Sequence, residues 1–190
     1  AMQRMIELGQ ADSAWRLFTN TNEIALTRGV VGGLPENLDA YPHPGELAPR
    51  LTGTYLQGWS NAEQLRVWYQ GFLGLQPDLE HGVIRLAPRL PKAFGDVEFN
   101  SRIGAAVLHA SYERSDRGRR YTWRLQGQAA RLDLDIVPFE RHSVTAAAGD
   151  TLMVEHTADS LVVHHVGIGG SERERVTLAP SPVRREQQAG

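Results

Sequence analysis

Apolar residues change their spacing along the chain near residue 80. Before that point they recur every three or four positions, and after it they alternate with polar residues in short runs. The first period is that of an amphipathic helix, and the second is that of a half-buried strand. The pattern predicts helices up to about residue 74 and strands from about residue 82 to residue 178.

Three helices are predicted in the first part of the chain. Gly9 is a typical stop for the first helix, and Asp12 or Ser13 is positioned to cap the second. The third helix has the S-x-x-E spacing of a capping box at Ser60 and Glu63. This spacing predicts that the helix begins at Ser60 and that Glu63 has a structural role.

Seven runs with strand character follow, separated by turn signals. They are HGVIRLAP, DVEFNSRI, AAVLHASYER, RRYTWRLQG, ARLDLDIVP, DTLMVEHT and DSLVVHHVGI. Short strands at this spacing are typical of an antiparallel sandwich or barrel. The chain is therefore predicted to be an α+β protein with a helical part at residues 1–78, an antiparallel β domain at 79–180 and a disordered tail at 181–190.

Composition and charge narrow the class of protein. The chain of 190 residues has a formal net charge of −2, which gives no indication of a nucleic acid or an anionic membrane as partner. There is no cysteine, so disulfides and cysteine-based metal sites are excluded. No apolar run approaches the ~20 residues of a membrane helix, and no signal-peptide pattern is present. We expect a cytoplasmic protein without a metal or another cofactor.

Two clusters of titratable residues have structural interpretations. His164 and His165 are adjacent on a predicted strand, so they point to opposite faces and cannot bind one metal together. A group of basic residues surrounds a predicted hairpin turn, which indicates a solvated tip because the chain as a whole is not basic. This group consists of Arg114, Arg117, Arg119 and Arg120.

A loop rich in glycine and proline, GGLPENLDAYPHPGELAP at residues 32–49, precedes the third helix. Its Glu36 follows Pro35, whose fixed φ restrains the position of the next residue. Tyr55 and Trp59 come just before the third helix and are of the kind that stacks on ring-shaped polar ligands. A glutamate in a loop is more often a solvated surface charge, so the residue alone leaves its role open.

Two motifs carry a resemblance to a known family. They are G-G-L-P-E, which ends at Glu36, and Q-G-W-S-N-A-E-Q-L-R at residues 57–66. Together with Y-Q-G-F-L-G-L-Q-P-D and I-R-L-A-P-R-L-P, they resemble the end of the catalytic domain of glycogen debranching enzymes, in their amylo-α-1,6-glucosidase part. The resemblance covers about residues 29–91, and Gly58 replaces an alanine that is usual in that family.

The resemblance implies the fold and the chemistry of a six-hairpin glycosidase. The helices would be the last of an (α/α)6 toroid, followed by an antiparallel β-sandwich-like C-terminal domain. The enzyme would be an inverting glycoside hydrolase acting on α-glucan, with Glu36 in the position of the general base. The residues implied in substrate binding are Trp59, Tyr55, Gln57, Asn37 and Asp39.

A closed toroid needs many more helices than the three predicted here, and no motif for the general acid is visible at residues 1–28. We therefore expect the C-terminal piece of a longer enzyme, inactive alone, whose partner is the rest of the barrel. Such a piece should expose an apolar helical face around Met5, Leu17 and Phe18. Two alternatives stay open: a non-catalytic carbohydrate-binding or packing module, and a six-hairpin glycosidase with a different sugar specificity.

Overall fold

The computed structural model describes residues 1–116 and 118–182. The chain divides into two compact units, the first at residues 1–72 and the second from Leu73 onward. The predicted boundary after residue 78 lies a few residues beyond this division. Arg117 and residues 183–190, which include most of the predicted tail, lie outside the described residues.

The first unit is helical and contains a long loop. Its elements are α1 (Met2–Glu7), α2 (Ala11–Thr27), β1 (Asn37–Leu38), β2 (Leu51–Thr52) and α3 (Gly58–Arg66), which continues as a π-helical segment (Val67–Phe72). Three α-helices are thus present in the described part of this unit, as the apolar spacing predicts. Three helices are too few to close a toroid, so the toroid stays a prediction.

Aromatic rings form the core of the first unit. Trp15 and Phe18 lie one turn apart on α2, and both meet Phe72 edge-on, with ring centroids 5.3 and 5.4 Å away. Trp68 stacks on Phe18 at 5.8 Å. Each such pair contributes about 0.5–1.5 kcal/mol beyond its buried area. The π-helical segment therefore packs against α2 through Trp68 and Phe72.

The surface of the first unit is rich in apolar side chains. Nearly all of the exposed large apolar residues in the described chain lie in this unit. Leu17 is 44% exposed, as expected, and Met5 is half-buried. The expectation for Phe18 is wrong: its side chain is only 6% exposed because it lies inside the aromatic core.

The capping box predicted at Ser60 is also wrong. Helix α3 begins at Gly58 with Gln57 as its N-cap residue, so Ser60 lies inside the first turn. Glu63 is exposed, and the Arg66 guanidinium donates a hydrogen bond to it at 2.6 Å. This hydrogen bond lowers the pKa of Glu63. The helix begins earlier than predicted because the preceding loop, rather than a capping side chain, holds its first turn.

The second unit contains two sheets. Its strands are β3 (Leu75–Asp78), β4 (Val83–Leu86), β5 (Val97–Ile103), β6 (Ala106–Ser115), β7 (Gly118–Gln126), β8 (Ala130–Leu134), β9 (His142–Ala146), β10 (Thr151–Thr157), β11 (Leu161–Val166) and β12 (Glu172–Leu178). The larger sheet has the order β12-β11-β10-β7-β6-β5 and is antiparallel. The smaller sheet has the order β3-β4-β8-β9.

The predicted β-rich second part is confirmed, but one strand pair departs from the predicted antiparallel arrangement. Strands β4 and β8 pair in parallel. Parallel neighbours need a long crossover connection. Here β5, β6 and β7 of the larger sheet lie between β4 and β8 along the chain and supply that connection.

A chain of hydrogen bonds crosses the core of the second unit. The indole N–H of Trp123 on β7 donates to the Tyr112 hydroxyl on β6 at 3.1 Å. That hydroxyl donates to the carbonyl of Leu73, just before β3, at 2.7 Å. Neither ring is exposed to solvent, and burial raises the pKa of Tyr112. These bonds connect the larger sheet to the start of the smaller one.

Replacing Tyr112 by phenylalanine removes both hydrogen bonds and leaves a buried N–H and a buried carbonyl without a partner. We expect Tyr112→Phe to lower the free energy of unfolding by about 1–3 kcal/mol. Urea denaturation followed by tryptophan fluorescence measures this loss. Tyr41→Phe, at a side chain that is 81% exposed, is the matched control and should leave stability unchanged. Equal stability of the two variants would contradict the role of the Tyr112 hydroxyl.

Candidate functional site

The loop that carries Glu36 is a paired ribbon. Strands β1 and β2 form a short antiparallel ladder. The ladder extends past both ends, because the Asp39 N–H donates to the Arg50 carbonyl at 3.0 Å and the Glu36 N–H donates to the Thr54 carbonyl at 2.8 Å. Glu36 therefore lies at the base of the ribbon, where its backbone is fixed.

Leu34 connects the base of this ribbon to the first turn of α3. Its N–H donates to the Asn61 side-chain oxygen at 3.0 Å, and its carbonyl accepts the Gln57 N–H at 2.8 Å. The Ser60 hydroxyl lies 3.5 Å from the Pro35 carbonyl. A helix leaves its first N–H groups without partners inside the helix, and the loop carbonyl supplies one here. The position of the ribbon is thereby tied to the helix.

The Glu36 side chain lies over Gly53 in the opposite arm. A Cβ atom at Gly53 would stand 2.6 Å from Glu36 Oε2, and the φ of Gly53 is +73°. The same carboxylate oxygen accepts the Thr54 N–H at 3.2 Å. Glu36 is exposed to solvent and forms no ion pair with any described residue. The backbone of the β2 arm thus orients a carboxylate that water can reach.

Several other carboxylates near the ribbon are paired with a neighbouring cation or histidine. Asp39 lies 2.8 Å from the His43 ring nitrogen, and the Arg50 guanidinium donates to Glu46 at 2.7 Å. The hydrogen bond from Arg50 lowers the pKa of Glu46. Exposed pairs of this kind contribute little to stability, because water and salt screen the charges. Glu36 differs from them because its carboxylate accepts a hydrogen bond from a backbone N–H, that of Thr54, and forms no ion pair with a described residue.

The five predicted substrate-binding residues have different environments. Tyr55 and Trp59 are 58% and 69% exposed, and Asn37 is exposed as well. The Gln57 residue is only 6% exposed, and the Asp39 carboxylate is already bound to histidine. Tyr55, Trp59 and Asn37 are therefore the side chains of this set that a ligand can reach without rearrangement.

A shallow depression of about 410 Å³ reaches the β2 arm of the ribbon. Its lining consists of Thr27, Arg28, Gly29, Arg50, Leu51 and Tyr55. Arg28 is half-buried and has no polar side-chain partner among the described residues. Arg28, Arg50 and Tyr55 thus line one depression beside the β2 arm.

The predicted site did not include Arg28, Arg50 or Gly53. Gly53 has a local signal, since a glycine between residues of strand character marks a bend or a close backbone approach. The two arginines have no such signal, because their position depends on the pairing of distant segments.

Comparisons of the chain with protein-family models, with curated proteins and with solved structures found no match. No group of three or more histidine, aspartate or glutamate side chains within residues 1–116 and 118–182 is arranged to hold a metal ion. In the same residues no helix is long and apolar enough to cross a membrane. The chemistry available at the ribbon is that of an oriented carboxylate as a proton acceptor, with exposed aromatic rings on adjoining segments.

Replacing Gly53 by alanine tests the contact between Glu36 and the β2 arm. In Gly53→Ala the alanine must adopt a positive φ, which costs about 1–2 kcal/mol. Its Cβ must also displace the Glu36 carboxylate. We expect a larger loss of stability than in Gly45→Ala, and faster hydrogen exchange of the Thr54 amide, measured by NMR.

Gly45→Ala is the matched control, because Gly45 has a φ of +85° and open space where its Cβ would lie. Gly45→Ala has the same cost of a positive φ but makes no contact with Glu36. Identical Thr54 exchange rates in the two variants would show that the carboxylate does not depend on Gly53.

Proposed function

We propose that this chain forms the C-terminal part of an inverting glycoside hydrolase acting on α-glucan, with the amylo-α-1,6-glucosidase activity needed for glycogen debranching. Glu36 is the general base, and the remainder of the barrel supplies the general acid. The observation that supports this function is the Glu36 carboxylate, which is exposed, oriented by a backbone N–H and unpaired with any described cation.

In this reaction Glu36 accepts a proton from water while the water oxygen attacks the anomeric carbon. The acid protonates the leaving oxygen on the opposite side, so the C–O bond breaks and α-linked glucose is released in the β configuration. The two carboxyl groups of inverting enzymes stand ~6.5–9.5 Å apart, which leaves room for this water. A base in this role must be held in place and accessible to water, and Glu36 meets both conditions.

The exposed residues around Glu36 are suited to a sugar. Tyr55 follows Thr54, the residue of the β2 arm whose N–H binds the Glu36 carboxylate from the opposite arm. Aromatic rings of this kind stack on the apolar faces of sugar rings. Trp59 offers a second ring on the first turn of α3, and Asn37 offers an amide to the hydroxyls. Gln57 is buried, and its backbone N–H donates to the Leu34 carbonyl.

A second candidate function is that of a non-catalytic carbohydrate-binding module. The observation that favours it is the exposure of Tyr41, Tyr55 and Trp59 on one unit that contains a single candidate catalytic carboxylate. Such a module would bind glucan through the same rings without cleaving it.

Glu36→Gln in the complete enzyme separates the two functions. We expect kcat for release of glucose from α-1,6 branch stubs to fall by about 10²–10⁴-fold, because glutamine cannot accept the proton. KM should stay nearly unchanged, because the shape of the side chain is kept. Proton NMR of the first product measures its anomeric configuration, which should be β.

Glu63→Gln is the matched control, since Glu63 is an exposed carboxylate of the same unit that pairs with Arg66. Its rate should equal that of the parent enzyme. An unchanged rate in Glu36→Gln would remove Glu36 from catalysis. If the complete protein bound maltooligosaccharides but cleaved no α-glucan, the carbohydrate-binding module would be the correct function.

A further inference from the structure

A cleft of about 430 Å³ opens at the end of strands β6, β7 and β10, beside the hairpin that joins β6 to β7. Strand pairing places two rows of side chains across these three strands. The cleft is lined by Glu113, Arg114, Ser115, Asp116, Arg119, Arg120, Glu155, His156 and Thr157.

The first row alternates in charge. Arg120 on β7 pairs with Glu113 on β6 and with Glu155 on β10. Its guanidinium lies 3.9 Å from the first carboxylate and 3.0 Å from the second. Opposite charges at facing positions of a sheet stabilise the pairing. This row therefore has one guanidinium between two carboxylates and a formal charge of −1.

The second row, formed by the next residue of each strand and therefore pointing to the opposite face of the sheet, contains basic residues only. Arg119 on β7 pairs with Arg114 on β6 and with His156 on β10. Within the described residues, no carboxylate lies at ion-pair distance from either guanidinium. Like charges at facing positions destabilise a sheet. The row lacks the negative partner that its neighbour has on both sides.

Backbone carbonyls hold the two guanidiniums in place. Arg119 Nη2 donates to the carbonyls of Pro91 and Phe94 at 3.1 and 3.0 Å, and Arg114 Nη1 donates to the Lys92 carbonyl at 3.0 Å. Arg119 Nη1 is buried and has no acceptor. Carbonyl oxygens orient a guanidinium but do not neutralise it. The prediction that the arginines around this hairpin are solvated is therefore wrong for Arg119, which is half-buried.

The surroundings of His156 favour its neutral form. The ring stacks over Tyr121 at 6.4 Å and meets Phe139 edge-on at 5.3 Å. Burial lowers the pKa of His156, and the charges of Arg119 and Arg89 lower it further. An anion bound in the cleft would offset these positive charges. Anion binding would therefore favour protonation of His156, and protonation of His156 would favour anion binding.

Two carboxylates lie near the basic row without neutralising it. Asp96 accepts the backbone N–H of Arg114 at 2.7 Å rather than a guanidinium N–H. Asp116 lies on the rim of the cleft, next to the hairpin, and is exposed. Neither is within ion-pair distance of the two arginines, so the guanidiniums of Arg114 and Arg119 have no carboxylate partner among the described residues.

We propose that this cleft binds a phosphate group, either free phosphate or a phosphate monoester, through Arg114, Arg119 and His156. Phosphate carries about −1.5 to −2 charges at neutral pH and offers several acceptor oxygens. Two guanidiniums and an imidazole that takes up a proton match both features. A single carboxylate would leave one of these cations unpaired. The site lies wholly in the second unit and does not depend on the function proposed for Glu36.

NMR titration of the full chain tests this site. Inorganic phosphate and, in a separate arm, glycerol 3-phosphate are added at constant ionic strength while the ring protons of His156 are followed over a range of pH. We expect saturable shifts and a higher His156 pKa in the bound form. Arg119→Gln should weaken binding about tenfold or more, because a charge-assisted hydrogen bond is lost.

Arg124→Gln is the matched control, because Arg124 is an exposed arginine of the same strand outside the cleft. The phosphate affinity of this variant should equal that of the parent chain. Arg114→Gln serves as a second variant if Arg119→Gln does not fold. Tighter binding of the ester identifies a phosphate monoester, and equal or weaker binding identifies free phosphate. Shifts that do not saturate, that sodium chloride reproduces, or that persist at full strength in the folded arginine variants would overturn the proposal.

Discussion

Two hydrogen bonds made by Leu34 fix the candidate site, since they tie the base of the ribbon to the first turn of α3. The neighbouring residues of the G-L-P-E run also contribute to the geometry of this connection. A Cβ at Gly33 would stand 2.6 Å from a Leu56 methyl group, so a larger residue there would displace the Leu56 side chain. Pro35 restricts the backbone that follows. Glu36 is then delivered over the β2 arm, where a backbone amide orients its carboxylate.

Interior strands of the second unit were predictable from the sequence, and edge strands mostly were not. All seven predicted runs form strands, but β3, β9 and β12, which the alternation did not reveal, lie at sheet edges. Strand β3 contains Pro77, and β12 begins with alternating glutamate and arginine. Edge strands use proline and charge to resist pairing with other chains, and this removes the apolar alternation on which prediction depends. The edge strand β5 keeps that alternation and was found.

The site was predictable where its residues act locally. Tyr55 and Trp59 flank the start of α3, and their exposure follows from that position. The capping box at Ser60 failed because spacing alone does not show that a distant loop residue, Leu34, already occupies the helix start. Arg28 was not predictable for a related reason, since only the folded chain brings the end of α2 to the ribbon.

The arginine-rich hairpin shows how register changes the meaning of a charge cluster. Consecutive strand residues point to opposite faces, so Arg119 and Arg120 belong to different rows although they are neighbours in sequence. Arg120 faces two glutamates, whereas Arg119 shares its face with the buried Tyr121 ring. The overall charge of −2 is uninformative about either row, because a sheet sorts charges by alternation rather than by total. Like charges at facing positions make the basic row locally unfavourable, and an anion bound in the cleft would offset this electrostatic cost.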